Sequence, residues 1–400
     1  MKKIFFVAIA ATLLAAGCQK TEVINQVNPV DGTSMTFAPN LGKLTKVADA
    51  DSSGTYNLSE QDFRLWAYYV ADDPNRGAGA NDVYDGMSNI IISDGPEGNA
   101  GKEWKANTTH FWPGSNKKLK FFAISANPDT YGTGEGTTAA NSKVTVNPED
   151  TTMTVSNFIV APSAPNTDLM VADYVEAAQG EGKDGSKNTV DFTFRHALTK
   201  VQFSFKNSET TMPVYVQQMF VEGIKTTGNL TVATTKNNKG LAAMSWTTSD
   251  ATDTFYGDYV TVQDDGTFET PKKAENYDTA WKNEEGADIA NIASNGYMKL
   301  TNTYKPYTTW LVIPQDVYNA TENTDLKVTI AYVIVSDTET RQFIQTFSLG
   351  SASLVPSWDK NQYVRYNINL TPNIIGFSAT VAPWDETSEG SNKGDVNINE

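Results

Sequence analysis

Apolar and polar side chains alternate along this chain in short runs, and a period of two is the mark of a half-buried strand. The clearest case is TVDFTFRHALTKVQFSFKN (189–207), where Val190, Phe192 and Phe194 share one face and Val201, Phe203 and Phe205 another. FRLWAYYV (63–70), KLKFFAISA (118–126), KVTV (143–146) and MTVSNFIV (153–160) also predict strands, as do TTWLVIP, LKVTIAYVIV, RQFIQTFSL, YVRYNINL and IIGFSATVAPW further on. TSMTFA (33–38) is a short first strand with Met35 and Phe37 on one side. YVTVQDDGTFET reads as a hairpin turning at Asp265-Gly266. Gly, Asn, Asp and Pro separate the runs, and no long segment has helical periodicity. The pattern predicts an all-β chain of sandwich type.

The 400 residues suggest two domains. The Gly-rich, charged stretch EAAQGEGKDGSKN places the boundary near 190–200, giving 33–195 and 196–400, the second ending in the polar tail DETSEGSNKGDVNINE (385–400). Ahead of them lies a leader. Lys2 and Lys3 precede an apolar run from Ile4 to Ala16, too short to span a bilayer and ending in small residues. The single cysteine, Cys18, follows LAAG, which resembles a bacterial lipobox. The expectation is a signal peptide over 1–17, acylation of Cys18 and a polar tether over 18–32. Acyl chains contribute about 0.8 kcal/mol per buried CH₂, so several would hold the protein on the outer membrane.

A lipidated Cys18 leaves no thiol for a disulfide, a metal or a nucleophile. Stability then rests on core burial, for which 39% apolar residues suffice. The net charge of −16 becomes −18 once Lys2 and Lys3 leave, with 29 basic against 47 acidic residues. An acidic chain without basic clusters argues against a nucleic-acid partner. DADSSGTYNLSE (49–60) has the oxygen spacing of an EF-hand calcium loop, with Asp49, Asp51, Ser53 and Glu60 as ligands around Gly54. Its flanks are not helical: Pro39 and Gly42 lie upstream and the strand-like FRLWAYYV downstream. The better reading is an exposed link, with Lys43 and Lys46 just before it. His196, between two strand runs, reads as a packed structural residue and His110 as a turn residue. No HExxH, GxSxG or P-loop pattern appears, and nothing implies an enzyme, a metal or another cofactor. Most aromatic residues read as core; Trp246 and Trp281, in polar surroundings, are the candidates for an exposed sugar-stacking platform.

A set of phrases in fixed order is more specific than any one of them. The lipobox is followed by FRLWAYYV, FWPGSNKKLKFFAISAN, DLMVAD, FTFRHALTKVQFSFKN, LVIPQ, SWDKNQYVRYNINL and IIGFSATVAPW. Over about 35–385 this resembles the Bacteroidetes fimbrillin-like family of FimA and Mfa-type pilins. The resemblance implies two tandem transthyretin-like Greek-key β-sandwich domains and an exported lipoprotein at the cell surface. It implies assembly with other fimbrial subunits after a trypsin-like protease removes the first strand and a neighbour's strand fills the groove. Here the removed strand is 33–38, cut after Lys46 or, second, Lys43; the family pattern has Arg at the cut, and this chain has Lys. The donor is 374–384, where Ile375, Phe377, Ala379 and Val381 share a face; the other candidate is 362–370, with Val364, Tyr366, Ile368 and Leu370. Asp-Thr-small triplets resemble the O-glycosylation signal of these bacteria and mark Thr151 and Thr279. A host protein or glycan completes the implied partners. The alternative reading is a non-polymerising, glycan-binding surface lipoprotein.

Overall fold

The computed structural model describes residues 33–41, 62–75, 77–93, 104–114, 117–125, 143–160, 168–180, 188–209, 211–236, 242–257, 261–262, 268–269, 298–319, 324–336, 340–351, 355–371, 375–383 and 391–398. Every regular element among them is a strand, as the alternation predicts. The N-terminal half contributes β1 (Thr36–Leu41), β2 (Phe63–Tyr69), β3 (Ile90–Ser93), β4 (Lys105–Ala106), β5 (Lys118–Ser125), β6 (Lys143–Asn147), β7 (Thr152–Ile159), β8 (Met170–Ala172), β9 (Val175–Ala178) and β10 (Thr189–His196). The longer strands that follow are β11 (Thr199–Lys206), β12 (Val214–Lys225), β13 (Thr227–Lys236), β14 (Ala242–Thr248), β15 (Thr252–Tyr256), β16 (Lys305–Val312), β17 (Lys327–Val335), β18 (Thr340–Ser348), β19 (Gln362–Leu370), β20 (Ile375–Pro383) and β21 (Ser391–Ile398).

The first sheet runs β1-β10-β8-β5-β2-β3-β4, with β9 also on β5. Its two ends meet, because β1 also bonds to the segment that carries β4, through bridges Phe37–Trp104 and Ser34–Phe111. The sheet thus closes around its own core, filled by Phe63, Leu65, Phe121, Phe192 and Phe194. The outer faces of β2 and β5 are buried too: Trp66, Tyr68, Phe122 and Ile124 join a second core shared with the C-terminal half. Burial on both faces explains why these two strands read as nearly continuous apolar runs.

A second sheet, β14-β13-β7-β6, draws two strands from each half. The boundary expected at 195/196 falls where β10 gives way to β11, and this sheet is hydrogen-bonded across it. The C-terminal sandwich pairs the sheet β16-β11-β19-β20-β21 with β15-β12-β17-β18. In each half the first strand lies parallel to a late one: β1 to β10, and β11 to β19, from Thr199 opposite Gln362 to Lys206 opposite Asn369.

Two differences from the expected strands have local causes. The first strand covers Thr36–Leu41 rather than 33–38 and so includes Pro39. N–H groups alternate in direction along a strand; Thr36 donates to Asn188 on the β10 side, while Met35 and Phe37 donate to His110 and Trp104 on the other. Pro39 shares their parity, so its missing N–H costs no bond to β10. The polar tail is the second difference: residues 391–398 form the edge strand β21, paired antiparallel with β20.

Candidate assembly site at the first strand

β1 occupies a slot with a hydrogen-bonding border on each side. On one side lies β10, in parallel register from Thr36–Thr189 to Leu41–Phe194, reinforced by the Thr36 and Thr189 hydroxyls 2.7 Å apart. On the other lies segment 104–112. Met35 N–H donates to His110 O (2.8 Å), Phe37 N–H to Trp104 O (3.0 Å), and Trp112 N–H to Thr33 O (3.1 Å). Gln179 Nε2 donates to the Thr33 hydroxyl at 3.1 Å.

The slot's floor is aromatic. Met35 and Phe37 point into it and are buried. Phe37 lies 6.3 Å from Phe192, nearly parallel to it, and 6.5 Å from Phe121, edge-on. Phe63 packs on Trp104 and Phe192, and Trp112 on Phe121. Such ring pairs contribute about 0.5–1.5 kcal/mol each beyond area burial.

The 104–112 border is held by groups other than β1. The Tyr84 hydroxyl donates to Phe111 O, and His110 Nδ1 lies 2.9 Å from Asp85 Oδ2. The Trp112 indole N–H donates to Asn188 O at 3.2 Å, which ties this border to the foot of β10. His110, expected in a turn, is instead buried, with its carbonyl receiving β1. The sequence pointed to β1 but not to this border; FWPG and the preceding His read only as the approach to β5.

The donor candidates sit in the C-terminal sandwich. Ile375, Phe377, Ala379 and Val381 lie on β20, between β19 and β21. Phe377 and Ala379 are buried there, and the Phe377 ring stacks 5.5 Å from Tyr366. The second candidate, β19, lies between β11 and β20 with Val364, Tyr366, Ile368 and Leu370 fully enclosed. The Trp358 indole N–H donates to the Tyr366 hydroxyl at 3.0 Å, and burial drives that phenol's pKa upward.

His196 is packed: its Nδ1 lies 2.5 Å from Asp168 Oδ2, and the two side chains are 2% and 4% exposed. The pair sits at the β10–β11 corner, where the Trp246 indole N–H donates to Ala197 O (2.8 Å). Trp246 is therefore half-buried and edge-anchored rather than a free-standing platform. Thr151 is at the β6–β7 turn with φ +53°, its hydroxyl donating to Asp150 O. Cys18, Lys43, Lys46, Thr279, Trp281 and the Asp49–Glu60 loop lie outside the described residues.

A family model described as fimbrillin-like matches residues 45–384. The chain belongs to the fimbrillin-like family. Fimbrium subunit Fim1C of Phocaeicola vulgatus is 23% identical to this fimbrillin-like chain over 397 residues, which is 98% of this chain and 97% of the relative. A crystal structure of a fimbrial protein from Bacteroides vulgatus superimposes with TM-score 0.51 at 17% identity, over 80% of this chain and 92% of that one. That similarity is one of fold. The slot and both donor candidates fall within the fimbrillin-like match apart from β1, which immediately precedes it.

Proposed function

We propose that this fimbrial subunit is exported as a lipoprotein acylated at Cys18 and assembles by donor-strand exchange once a protease has cut after Lys46, or second after Lys43. The slot around β1 is the observation that carries this reading. Removing β1 takes Met35 and Phe37 from an aromatic floor and unpairs main-chain groups along both borders. An unpaired border with apolar pockets between its edges is a template for strand addition. The Tyr84–Phe111 and His110–Asp85 contacts support a border that keeps its shape while empty.

For the donor we favour β20 over β19. β19 is central, next to β11, with its own Tyr366 stacked on Phe203 in the core, whereas β20 and the edge strand β21 form an outer pair that can leave without dividing the sandwich. Phe377 and Ala379 would then enter the pockets of Met35 and Phe37. The partners are other fimbrial subunits, and the location is the cell surface, tethered to the outer membrane.

Two measurements test this. The N-terminus of protein recovered from its own cells is expected to be Val47 or Leu44; only acylated Cys18 would leave β1 in place and overturn processing. In vitro, a chain starting at Val47 is expected to form large assemblies, blocked by a synthetic peptide of residues 33–46. A truncated chain that binds the peptide yet stays monomeric overturns exchange between copies; one that neither assembles nor binds it overturns the slot.

A further inference from the structure

A cleft of about 500 Å³ opens where the end of β12, strand β14 and the segment after β16 converge. It lies within the range of small-ligand sites, about 300–1,000 Å³. One wall is Trp246. Its indole N–H is committed to Ala197 O, and its six-membered ring lies on Gly228, where a Cβ would stand only 3.2 Å from Cε3. A glycine at this register position lets the ring lie close to the strand. The ring is thereby fixed in orientation while still lining the cleft.

The remaining walls are mainly polar, with Pro314, Val317 and Leu326 the apolar exceptions. Glu222 and Asp316 place exposed carboxylates on the rim, and Asn319 adds an amide. Gln315 is buried and immobilised, accepting from Lys225 N–H (2.9 Å) and donating to Ile313 O (3.0 Å). The Lys225 ammonium donates to the Thr248 hydroxyl at 3.1 Å. An apolar ligand finds too little apolar wall here, and an anionic one meets an excess of carboxylate. Carboxylates and amides arranged around an aromatic face suit vicinal hydroxyls above the C–H face of a pyranose.

We propose that this cleft binds a neutral oligosaccharide of two or three sugars, with Trp246 as the stacking surface and Glu222 and Asp316 accepting hydroxyl hydrogen bonds. None of these residues belongs to the β1 slot, so the proposal stands or falls apart from the assembly reading. The test is calorimetric titration of the full chain, with tryptophan fluorescence in parallel, using lactose, N,N′-diacetylchitobiose and maltotriose. Sialyllactose serves as the anionic probe and trilysine as a cationic peptide. At least one neutral sugar is expected to bind and perturb the fluorescence, with sialyllactose silent. The double variant Glu222→Gln/Asp316→Asn, both at exposed positions, is expected to weaken that binding at least about tenfold with unfolding temperature unchanged. No binding by any neutral sugar at about 10 mM, undiminished binding by the double variant, or binding of trilysine alone would each overturn the proposal.

Discussion

Phe37 on the first strand stacks against Phe192 on β10, ring centroids 6.3 Å apart and planes 25° from parallel. Phe37 therefore anchors β1 in the core of the closed sheet. Phe37→Ala is expected to cost about 3–5 kcal/mol, the usual range for a buried Phe. Urea unfolding of the uncut chain checks this; a loss below about 1 kcal/mol would mean that β1 contributes little to holding the sheet closed.

The Asp168–His196 pair tests the corner between the halves. Asp168→Ala leaves a buried imidazole nitrogen without its carboxylate, and the expected loss is about 1–3 kcal/mol. Asp168→Asn keeps a polar oxygen at the same place and is expected to lose less. Equal losses from the two substitutions in chemical denaturation would show that the contact is not what secures the corner.

Alkaline pH is expected to unfold the protein. Burial raises the pKa of Tyr366, Tyr332 and Tyr68 above 10.0, and Tyr174 is raised by burial and then by its hydrogen bond to Glu176. A phenol whose folded pKa is raised stays protonated in the fold while the unfolded chain ionises near 10. Its contribution is fully present below that value and is lost as pH climbs towards the folded pKa. Stability followed by urea midpoint should fall above about pH 10, with the phenolate absorbance of these four tyrosines appearing only on unfolding. Phenolate absorbance from all four tyrosines in a chain still folded would contradict this.

Two glycines should respond differently to alanine. At Gly257 a Cβ would meet Tyr307 Cε1 at 2.5 Å and Met219 Cγ at 2.7 Å, while the Gly257 N–H holds Met219 O. Overpacking of this kind costs about 1–3 kcal/mol. Gly77 has open space around it and only its φ of +64° to defend, so Gly77→Ala is expected to cost about 1–2 kcal/mol through backbone strain alone. Thermal unfolding of the two variants compares them; favourable coupling of Gly257→Ala to Tyr307→Leu in a double-mutant cycle, and none of Gly77→Ala to the same change, would separate the causes.

Much of the strand order was legible because period two survives in the sequence wherever one face is buried. It was harder to read where a bulge changes phase. In β7, Met153 and Val155 face the core, and so do Phe158 and Val160, because Asn157 at φ +53° inserts one residue and flips the parity. In β12 the same happens twice: Val214 and Val216, then Met219 and Val221, then Ile224 beyond Gly223 at φ +83°. The second border of the slot was hidden for another reason. Segment 104–112 has only a two-residue strand, and its partners Thr33, Met35 and Phe37 are some seventy residues away.

The amino-acid sequence alone determined the all-β class, the phrases that mark the fimbrillin-like family and the apolar face of the first strand, since each depends on residue type and spacing within a few positions. Tertiary structure decided which edges meet. It closed the first sheet on itself through β1, joined β13 and β14 to β6 and β7 across the two halves, and gave the polar tail a partner in β20. It also turned Trp246 from a solvent-facing aromatic into an anchored cleft wall. Main-chain hydrogen bonding carries no side-chain signature, so the choice of partner edge emerges only when the cores on both faces of each sheet are packed at once.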